Sequence, residues 1–241
     1  MRSLFKKFFD HEISRRDFGT KLLALGFSQI AVNSFLGAAA EAREPLPDMG
    51  VKMSGTGADI LAATLRAAGV DYIFGTSATG MSPFFDALTV NNDMQFISSI
   101  AESQATSMAH GYELVTGKTA VLFIPGVAIP SAMNNLYNAW KDRSSIAVLS
   151  DGSSSNFAGR NGFQQMDDWL DPMTQFTKWQ WQVNNERQIS EMLRRTLKLA
   201  ETPPGGPVYL RFPGFLLSKP NIRQTIYPQS RFKIPMELYP K

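Results

Sequence analysis

The sequence predicts an α/β fold, with one doubly wound, mostly parallel sheet flanked by helices. Short apolar runs rich in β-branched and aromatic residues are typical of buried strands, and examples lie at 70–75 (VDYIFG) and 119–126 (TAVLFIPG). These runs alternate with longer segments whose apolar residues recur at three- and four-residue spacing, as in helices. Strands joined by single helices form right-handed units with parallel strands, so the alternation favours one α/β domain.

Composition indicates a globular chain and excludes several kinds of site. Of the 241 residues, 44% are hydrophobic and 19% are charged, which suits one or two domains with a buried core. Cysteine is absent, which excludes disulfides, thiol catalysis and thiolate metal sites. We find no basic stripe with interleaved aromatic residues, so no nucleic-acid partner is predicted. His110 is the only histidine after residue 42, and one histidine without any cysteine argues against a transition-metal site in the chain alone.

The first 42 residues have the features of an export signal. Segment 14–21 (SRRDFGTK) contains the pair Arg15 and Arg16, a mildly apolar run follows it, and Ala-Glu-Ala ends at residue 42. This order resembles a twin-arginine signal peptide over 1–42, which implies cleavage after residue 42 and a periplasmic location. The apolar run contains Gln29 and Asn33 and is too polar for a stable membrane span. The alternative is an amphipathic helix that belongs to the fold.

The first elements of the domain are delimited by caps and glycines. Residues 43–55 are interrupted by Pro and Gly and are interpreted as a linker. A helix is predicted from the cap Thr56 to Gly69, and a strand follows it. The turn 75–80 (GTSATG) lies between that strand and a helix that begins near Ser82. Such a turn could contact phosphate, but it is neither a dinucleotide fingerprint nor a P-loop.

Residues 96–126 are predicted to form strand, helix and strand, with Glu102 where the helix begins. Because both strands are parallel, Glu102 is expected at the carboxyl edge of the sheet. An acid in the first turn of a helix is favoured by the helix dipole, so position alone requires no chemistry. Glu102 is therefore a candidate functional carboxylate with a structural alternative.

The second half of the chain continues the alternation. A helix at about 131–141 leads to the strand SIAVLS, and a polar loop follows at 152–162. The remaining elements are predicted to be the strand WQWQV, the helix RQISEMLRRTLKLA and the strand VYLRF. Residues 215–241 contain several Pro residues and little periodicity, so we predict an extended C-terminal tail.

Five segments resemble, in the same order, the N-terminal pyrimidine-binding domain of thiamine-diphosphate enzymes of the acetolactate synthase and 2-oxo acid decarboxylase type. They cover most of 55–214 and assign the domain to 56–214. The segments are GADILAATLRAAGVDYIFG, AESQATSMAHGYELVTGK, NNLYNAWKDRSSIAVLSD, FQQMDD and GGPVYLRFPG. The common order of the segments is more specific than any one of them.

The resemblance implies a set of roles. Glu102 would be the catalytic residue and a cofactor-binding residue, because it shares a proton with the aminopyrimidine ring of thiamine diphosphate. Gly75 and Gly126 would bind the cofactor, and the candidates on the substrate side are Thr76, Ser77, Phe163 and Gln164. The substrate would be a 2-oxo acid that undergoes decarboxylation or carboligation. No metal ligand is assigned to this chain. The position of His110 in its helix is usually solvated in relatives, so the resemblance implies that His110 is a surface residue.

The resemblance also implies a partner. A separate subunit with the diphosphate-binding domain would hold the diphosphate and Mg²⁺, in a heterotetramer or larger assembly. The chain departs from the family pattern at Ala101, where many relatives have His, at 125–128 (PGVA), where they have Ser-Gly-Pro-Gly, and at Gln165, where they have Glu. Two alternatives therefore stay open. One is a non-catalytic scaffold or regulatory subunit of the same fold, and the other is an exported α/β binding protein.

Overall fold

The computed structural model describes residues 4, 13–29, 31–33, 50–90, 93–152, 157 and 159–232. The chain divides into two compact units, Met1–Met49 and Gly50–Lys241. In the first unit, helix α1 (Arg15–Ala24) is capped by the Ser14 hydroxyl, which accepts a hydrogen bond from the Asp17 backbone N–H at 3.1 Å. The proposed cleavage site at residues 40–42 lies outside the described residues, and the signal peptide stays a prediction. Within the described part, no helix is long and apolar enough to cross a bilayer.

The second unit is built on a parallel sheet of six strands. In space their order is β3-β2-β4-β5-β7-β6, and every neighbouring pair is parallel. The strands are β2 (Tyr72–Gly75), β3 (Gln95–Ser98), β4 (Ala120–Ile124), β5 (Ile146–Ser150), β6 (Gln180–Gln182) and β7 (Val208–Arg211). This sheet confirms the predicted α/β class.

Helices connect the strands and cover both faces of the sheet. They are α2 (Gly57–Ala67), α3 (Ser82–Thr89), α4 (Glu102–Thr116), α5 (Ile129–Lys141), α6 (Gln188–Glu201) and α7 (Gly214–Ser218). The predicted cap Thr56 is confirmed, because its side chain accepts from the Asp59 N–H while the Asp59 carboxylate accepts from the Thr56 N–H. Gly117 ends α4 in the left-handed conformation, with φ of 66°.

The core has two layers, one on each face of the sheet. Successive side chains in a strand point to opposite faces, so Val121 and Phe123 of β4 pack with one layer and Leu122 and Ile124 with the other. Helices α2, α3 and α6 contribute the first layer, which includes Leu61, Phe84 and Leu193. Helices α4 and α5 contribute the second, which includes Ala105, Ala109, Leu136 and Ala139. The small residues let α4 lie close to the sheet and to α5.

Two predictions at the ends of the domain were wrong. Residues 51–55 of the proposed linker form strand β1 (Val51–Gly55), and the proposed tail contains α7 and strand β8 (Ile222–Ile226). The strands β1 and β8 pair antiparallel in a separate two-stranded sheet. Ile222 and Ile226 are buried in the first core layer, and burial of these side chains stabilises β8 against the domain. Residues 43–49 and 233–241 lie outside the described residues.

Candidate functional site

The candidate site lies where the strand order of the sheet reverses. From β2 the chain first adds β3 on one side, and it then returns to add β4 on the other side of β2. In open α/β sheets, ligands bind outside the carboxyl ends of the strands at such a switch point. Gly75, Ser98 and Ile124 end the three strands, so the segments that follow them meet at this edge.

Glu102 lies at this edge as the first residue of α4, as predicted. It is partly buried, and the hydroxyl of Thr76 donates a hydrogen bond to its Oε1 at 2.9 Å. Thr76 follows β2 directly and is only 7% exposed. Across the described residues, no hydrogen bond reaches Oε2 of Glu102. One oxygen of the carboxylate is therefore held by the chain, and the other can bind a ligand.

Gly75 and Gly126 are both buried at the same edge, and their packing explains why each is glycine. A Cβ atom at Gly75 would overlap the backbone carbonyl of Phe123 in the neighbouring strand β4. A Cβ at Gly126 would lie 2.7 Å from the ring of Trp169. The Gly126 N–H donates to Oδ1 of Asp151 at 3.0 Å. Internal contacts therefore account for both glycines, and a contact of either with the cofactor stays a prediction.

The other substrate-side candidates are Ser77, Phe163 and Gln164, and no hydrogen bond joins any of them to Glu102 among the described residues. Ser77 is exposed in the turn after β2. Phe163 is 91% exposed, and Gln164 adopts a positive φ of 59° in the loop after β5. In the part of the chain that the structure describes, Phe163 and Gln164 make no hydrogen bond with Thr76, and the Phe163 ring stacks on neither Thr76 nor Glu102. Their roles stay predictions.

A buried polar cluster that the sequence did not reveal lies beside Gly126. It consists of Asp151 after β5, Arg211 at the end of β7, Trp169 and Gln182. The Arg211 guanidinium stacks on the Trp169 ring at 4.2 Å and donates to Oε1 of Gln182. Only two features of the sequence signal this cluster. Asp151 directly follows a buried strand, and Arg211 ends another.

Both charges of this cluster are deeply buried. Asp151 is 6% exposed and Arg211 is 3% exposed. Burial raises the pKa of the Asp151 carboxyl above its usual value, and burial lowers the pKa of the Arg211 guanidinium. In each case the loss of hydration outweighs the attraction to the opposite charge. The Asp151 carboxylate accepts the Gly126 N–H and so holds the turn at Gly126. Loss of that hydrogen bond would leave a buried carboxylate with one partner fewer, which is costly.

His110 was predicted to be a surface residue, and this was wrong. Its side chain is only 13% exposed, and Nε2 lies 3.2 Å from Oδ2 of Asp142. His110 belongs to α4 and Asp142 follows α5, so the pair lies where these helices pack. The side-chain amide of Asn135 in α5 likewise donates to the Ser103 carbonyl of α4. Among the described residues, no group of three or more His, Asp or Glu could hold a metal ion.

Comparisons with known proteins agree with this architecture. Residues 55–171 match the family model of the thiamine pyrophosphate enzyme, N-terminal TPP binding domain. The acetolactate synthase large subunit of Haemophilus influenzae is 28% identical over 187 residues, which are 77% of this chain and 30% of that protein. The corresponding subunit of Buchnera aphidicola is 27% identical over 176 residues, or 73% of this chain and 31% of that protein.

A solved structure supports the fold. An X-ray structure described as a thiamin diphosphate-dependent enzyme isolated from Mycobacterium smegmatis aligns with a TM-score of 0.65 at 21% identity, over 70% of this chain and 32% of that chain. This chain spans about a third of the length of the curated relatives that it matches.

The sheet order and the position of Glu102 define an α/β domain of the kind that binds ligands at this edge of the sheet. The α/β domain belongs to the pyrimidine-binding domain superfamily of thiamine-diphosphate enzymes. Within it, the domain is related to acetolactate synthase large subunits.

Proposed function

We propose that this chain supplies the pyrimidine-binding half-site of a thiamine-diphosphate-dependent lyase or synthase that acts on a 2-oxo acid, and that Glu102 is its catalytic residue. The observation that carries the proposal is the Glu102 carboxylate, fixed by Thr76 at the switch point of the sheet. When bound, thiamine diphosphate would supply a nucleophilic carbon for the carbonyl of the 2-oxo acid and a cationic ring as the electron sink for loss of carbon dioxide.

The residues at this edge fit the aminopyrimidine part of the cofactor. Oε1 of Glu102 accepts from the Thr76 hydroxyl, which holds the carboxylate in one orientation. Oε2 would then hold the proton that Glu102 exchanges with a ring nitrogen. The Gly126 N–H is already bound to Asp151, so this turn would contribute packing and its carbonyl group but not that donor.

We propose that a separate subunit carries the diphosphate-binding domain, and that the assembly is a heterotetramer or larger. The diphosphate and Mg²⁺ would be held by that partner. Mg²⁺ takes several oxygen ligands, of which the phosphates would supply some and the partner the others. The family supports this division of labour, because its pyrimidine-binding domain implies a diphosphate-binding domain.

Cofactor binding tests the division of labour. The chain alone is expected to bind thiamine diphosphate weakly, because it contacts only the pyrimidine end. Micromolar affinity should appear in calorimetry after the partner and Mg²⁺ are added. Magnesium-dependent micromolar binding by the single chain would contradict the proposal.

A non-catalytic scaffold of the same superfamily is the second candidate. It is favoured by the turn 125–128, whose Gly126 N–H is engaged within the chain, and by Ala101, which leaves no imidazole beside Glu102. A scaffold would assemble with the partner without affecting proton exchange at the thiazolium carbon. That exchange therefore distinguishes the two candidates.

We also propose export to the periplasm by the twin-arginine route. Replacing Arg15 and Arg16 by Lys is expected to leave the full-length precursor in the cytoplasm, because the pair is the defining feature of the signal. Cell fractionation with immunoblotting measures the distribution. Arg160→Lys with Arg187→Lys is the matched control, because it makes the same change at two exposed arginines outside the motif. Undiminished export of the double Lys variant would refute the idea.

A further inference from the structure

A crevice of about 440 Å³ lies on the small antiparallel sheet of β1 and β8, outside the parallel sheet that carries Glu102 at its edge. Residues 52–54 and 223–225 line it. The opposite face of this small sheet packs on helix α2 and the first core layer, so the face with the crevice is turned to solvent. The function proposed above does not involve this crevice.

The pairing register places four polar side chains together on the solvent face. Lys52 is opposite Thr225, and Ser54 is opposite Arg223. Residues that are directly opposite, and residues two apart in one strand, share a face of a sheet. Lys52 and Arg223 are diagonal neighbours, which are about 7–8 Å apart in such a pair of strands. Their side chains are long, so the two charged ends can reach one ligand.

These four side chains are accessible to a ligand. Lys52, Ser54 and Arg223 are exposed, and Thr225 is half-buried. Across the residues that the structure describes, none of the four makes a side-chain hydrogen bond or an ion pair, and no Asp or Glu lines the crevice. Two positive charges are thus held on neighbouring strands without a counter-charge from these residues, which favours an anion.

Two carboxylates that lie next to this sheet are already engaged. Asp59 lies beside the end of β1 and accepts hydrogen bonds from the backbone and the hydroxyl of Thr56. Glu186, whose carbonyl accepts from a β8 side chain, places Oε2 2.9 Å from Nζ of Lys219. Residues 186–232, which include β8, contain eight Lys or Arg and only three Glu. The surroundings of the crevice are therefore basic, and such a field attracts anions.

We propose that the crevice binds the phosphate group of a small soluble phosphate monoester, with the charged ends of Lys52 and Arg223 on its oxygens. The Ser54 and Thr225 hydroxyls donate to the remaining oxygens. A phosphate monoester has a charge of about −1.5 to −2 at pH 7, which matches the two cations. Arginine can hold two of its oxygens at once, and lysine acts as a point charge.

The shape and polarity of this face favour a small soluble ligand over a membrane surface. Small-molecule sites have volumes of about 300–1,000 Å³, and this crevice lies in that range. The exposed Val51 lies on the other face by the alternation of the strand. Among the described residues of the two strands, the solvent face presents only polar side chains. Binding to a lipid surface would need apolar side chains beside the basic ones.

Nuclear magnetic resonance of the purified full chain, labelled with ¹⁵N, tests the site with methyl phosphate as the probe. At pH 8 this monoester is a dianion. We expect saturable shifts of the amide signals of 51–55 and 222–226, with a dissociation constant of about 1 mM or tighter. Dimethyl phosphate has one charge and the diester group of phospholipid headgroups. It is expected to bind roughly tenfold more weakly, because one charge is lost.

Two variants and a matched control locate the binding. Lys52→Gln and Arg223→Gln each remove one cation from the crevice and are each expected to weaken methyl phosphate binding roughly tenfold. Lys141→Gln removes the same charge from an exposed position at the end of α5 and is expected to leave the affinity unchanged. Circular dichroism checks the fold of each variant.

Four results would each overturn the proposal. They are the absence of saturable shifts in β1 and β8, equal affinity for dimethyl phosphate, unchanged affinity in both crevice variants, and an equal loss of affinity in Lys141→Gln. Because Lys52 and Arg223 are both exposed and lie in different strands, either variant stays informative if the other misfolds.

Discussion

Glu102→Gln is expected to slow proton exchange at the thiazolium carbon by about 10²–10⁴-fold in the assembled enzyme, the usual contribution of general acid–base catalysis. Gln has nearly the same size and can still accept the Thr76 hydrogen bond, so the local structure should be kept. What it loses is the carboxylate that exchanges a proton with the pyrimidine ring. The exchange measurement needs no knowledge of the substrate, because it reports activation of the cofactor alone.

Glu113→Gln is the matched control. It removes one carboxylate from the same helix α4, but near the end that lies away from the switch point. We expect it to leave proton exchange unchanged. If Glu102 were only a charge at a helix terminus, Glu102→Gln would cost about 0.3–1 kcal/mol of unfolding free energy and leave exchange intact. Equal exchange in wild type and Glu102→Gln would thus rule out catalysis, and no exchange in either would favour the scaffold.

The fold was largely predictable because its signals are local. The cap at Thr56, the glycine at Gly117 and the apolar strand runs each act within a few residues, and they sufficed to place Glu102 at the carboxyl edge. The parallel arrangement then follows from general rules of chain connection. The contact of Glu102 with Thr76 agrees with this placement, since Thr76 comes directly after β2 and Glu102 comes a short turn after the neighbouring strand β3.

The remaining features depend on residues far apart in the sequence. The strand β1 forms only because β8, about 170 residues later, pairs with it. Asp151 and Arg211 are 60 residues apart, and neither is unusual in its own segment. Phe163 was assigned by resemblance. It lies in a loop, where no helix or strand periodicity predicts the position of a side chain. Pairings of this kind carry no local signal, so sequence patterns could not predict them.

Gly75→Ala is expected to lower the free energy of unfolding by about 1–3 kcal/mol, the usual cost of overpacking a well-packed core. Gly75 ends β2 in parallel register with Phe123 of β4, and the added Cβ would overlap the Phe123 carbonyl oxygen. Both groups are tied to backbone, so no side-chain rotation relieves the overlap. The two strands must separate at the end that carries Thr76, so the variant should also disturb the hydrogen bond to Glu102.

Gly111→Ala is the matched control, because the same methyl group is added where there is room. Gly111 lies inside α4, and no atom outside its own helical backbone lies within 4 Å of the position that a Cβ would take. Alanine in a helix interior is favoured over glycine by roughly 0.5–1 kcal/mol, so this variant should be more stable than wild type. Urea unfolding midpoints measure both changes, provided that the dependence of unfolding free energy on urea concentration is the same in all variants. We expect the unfolding free energy to fall in Gly75→Ala and to rise in Gly111→Ala. A Gly75→Ala variant as stable as Gly111→Ala would show that β2 and β4 can separate without cost at the switch point.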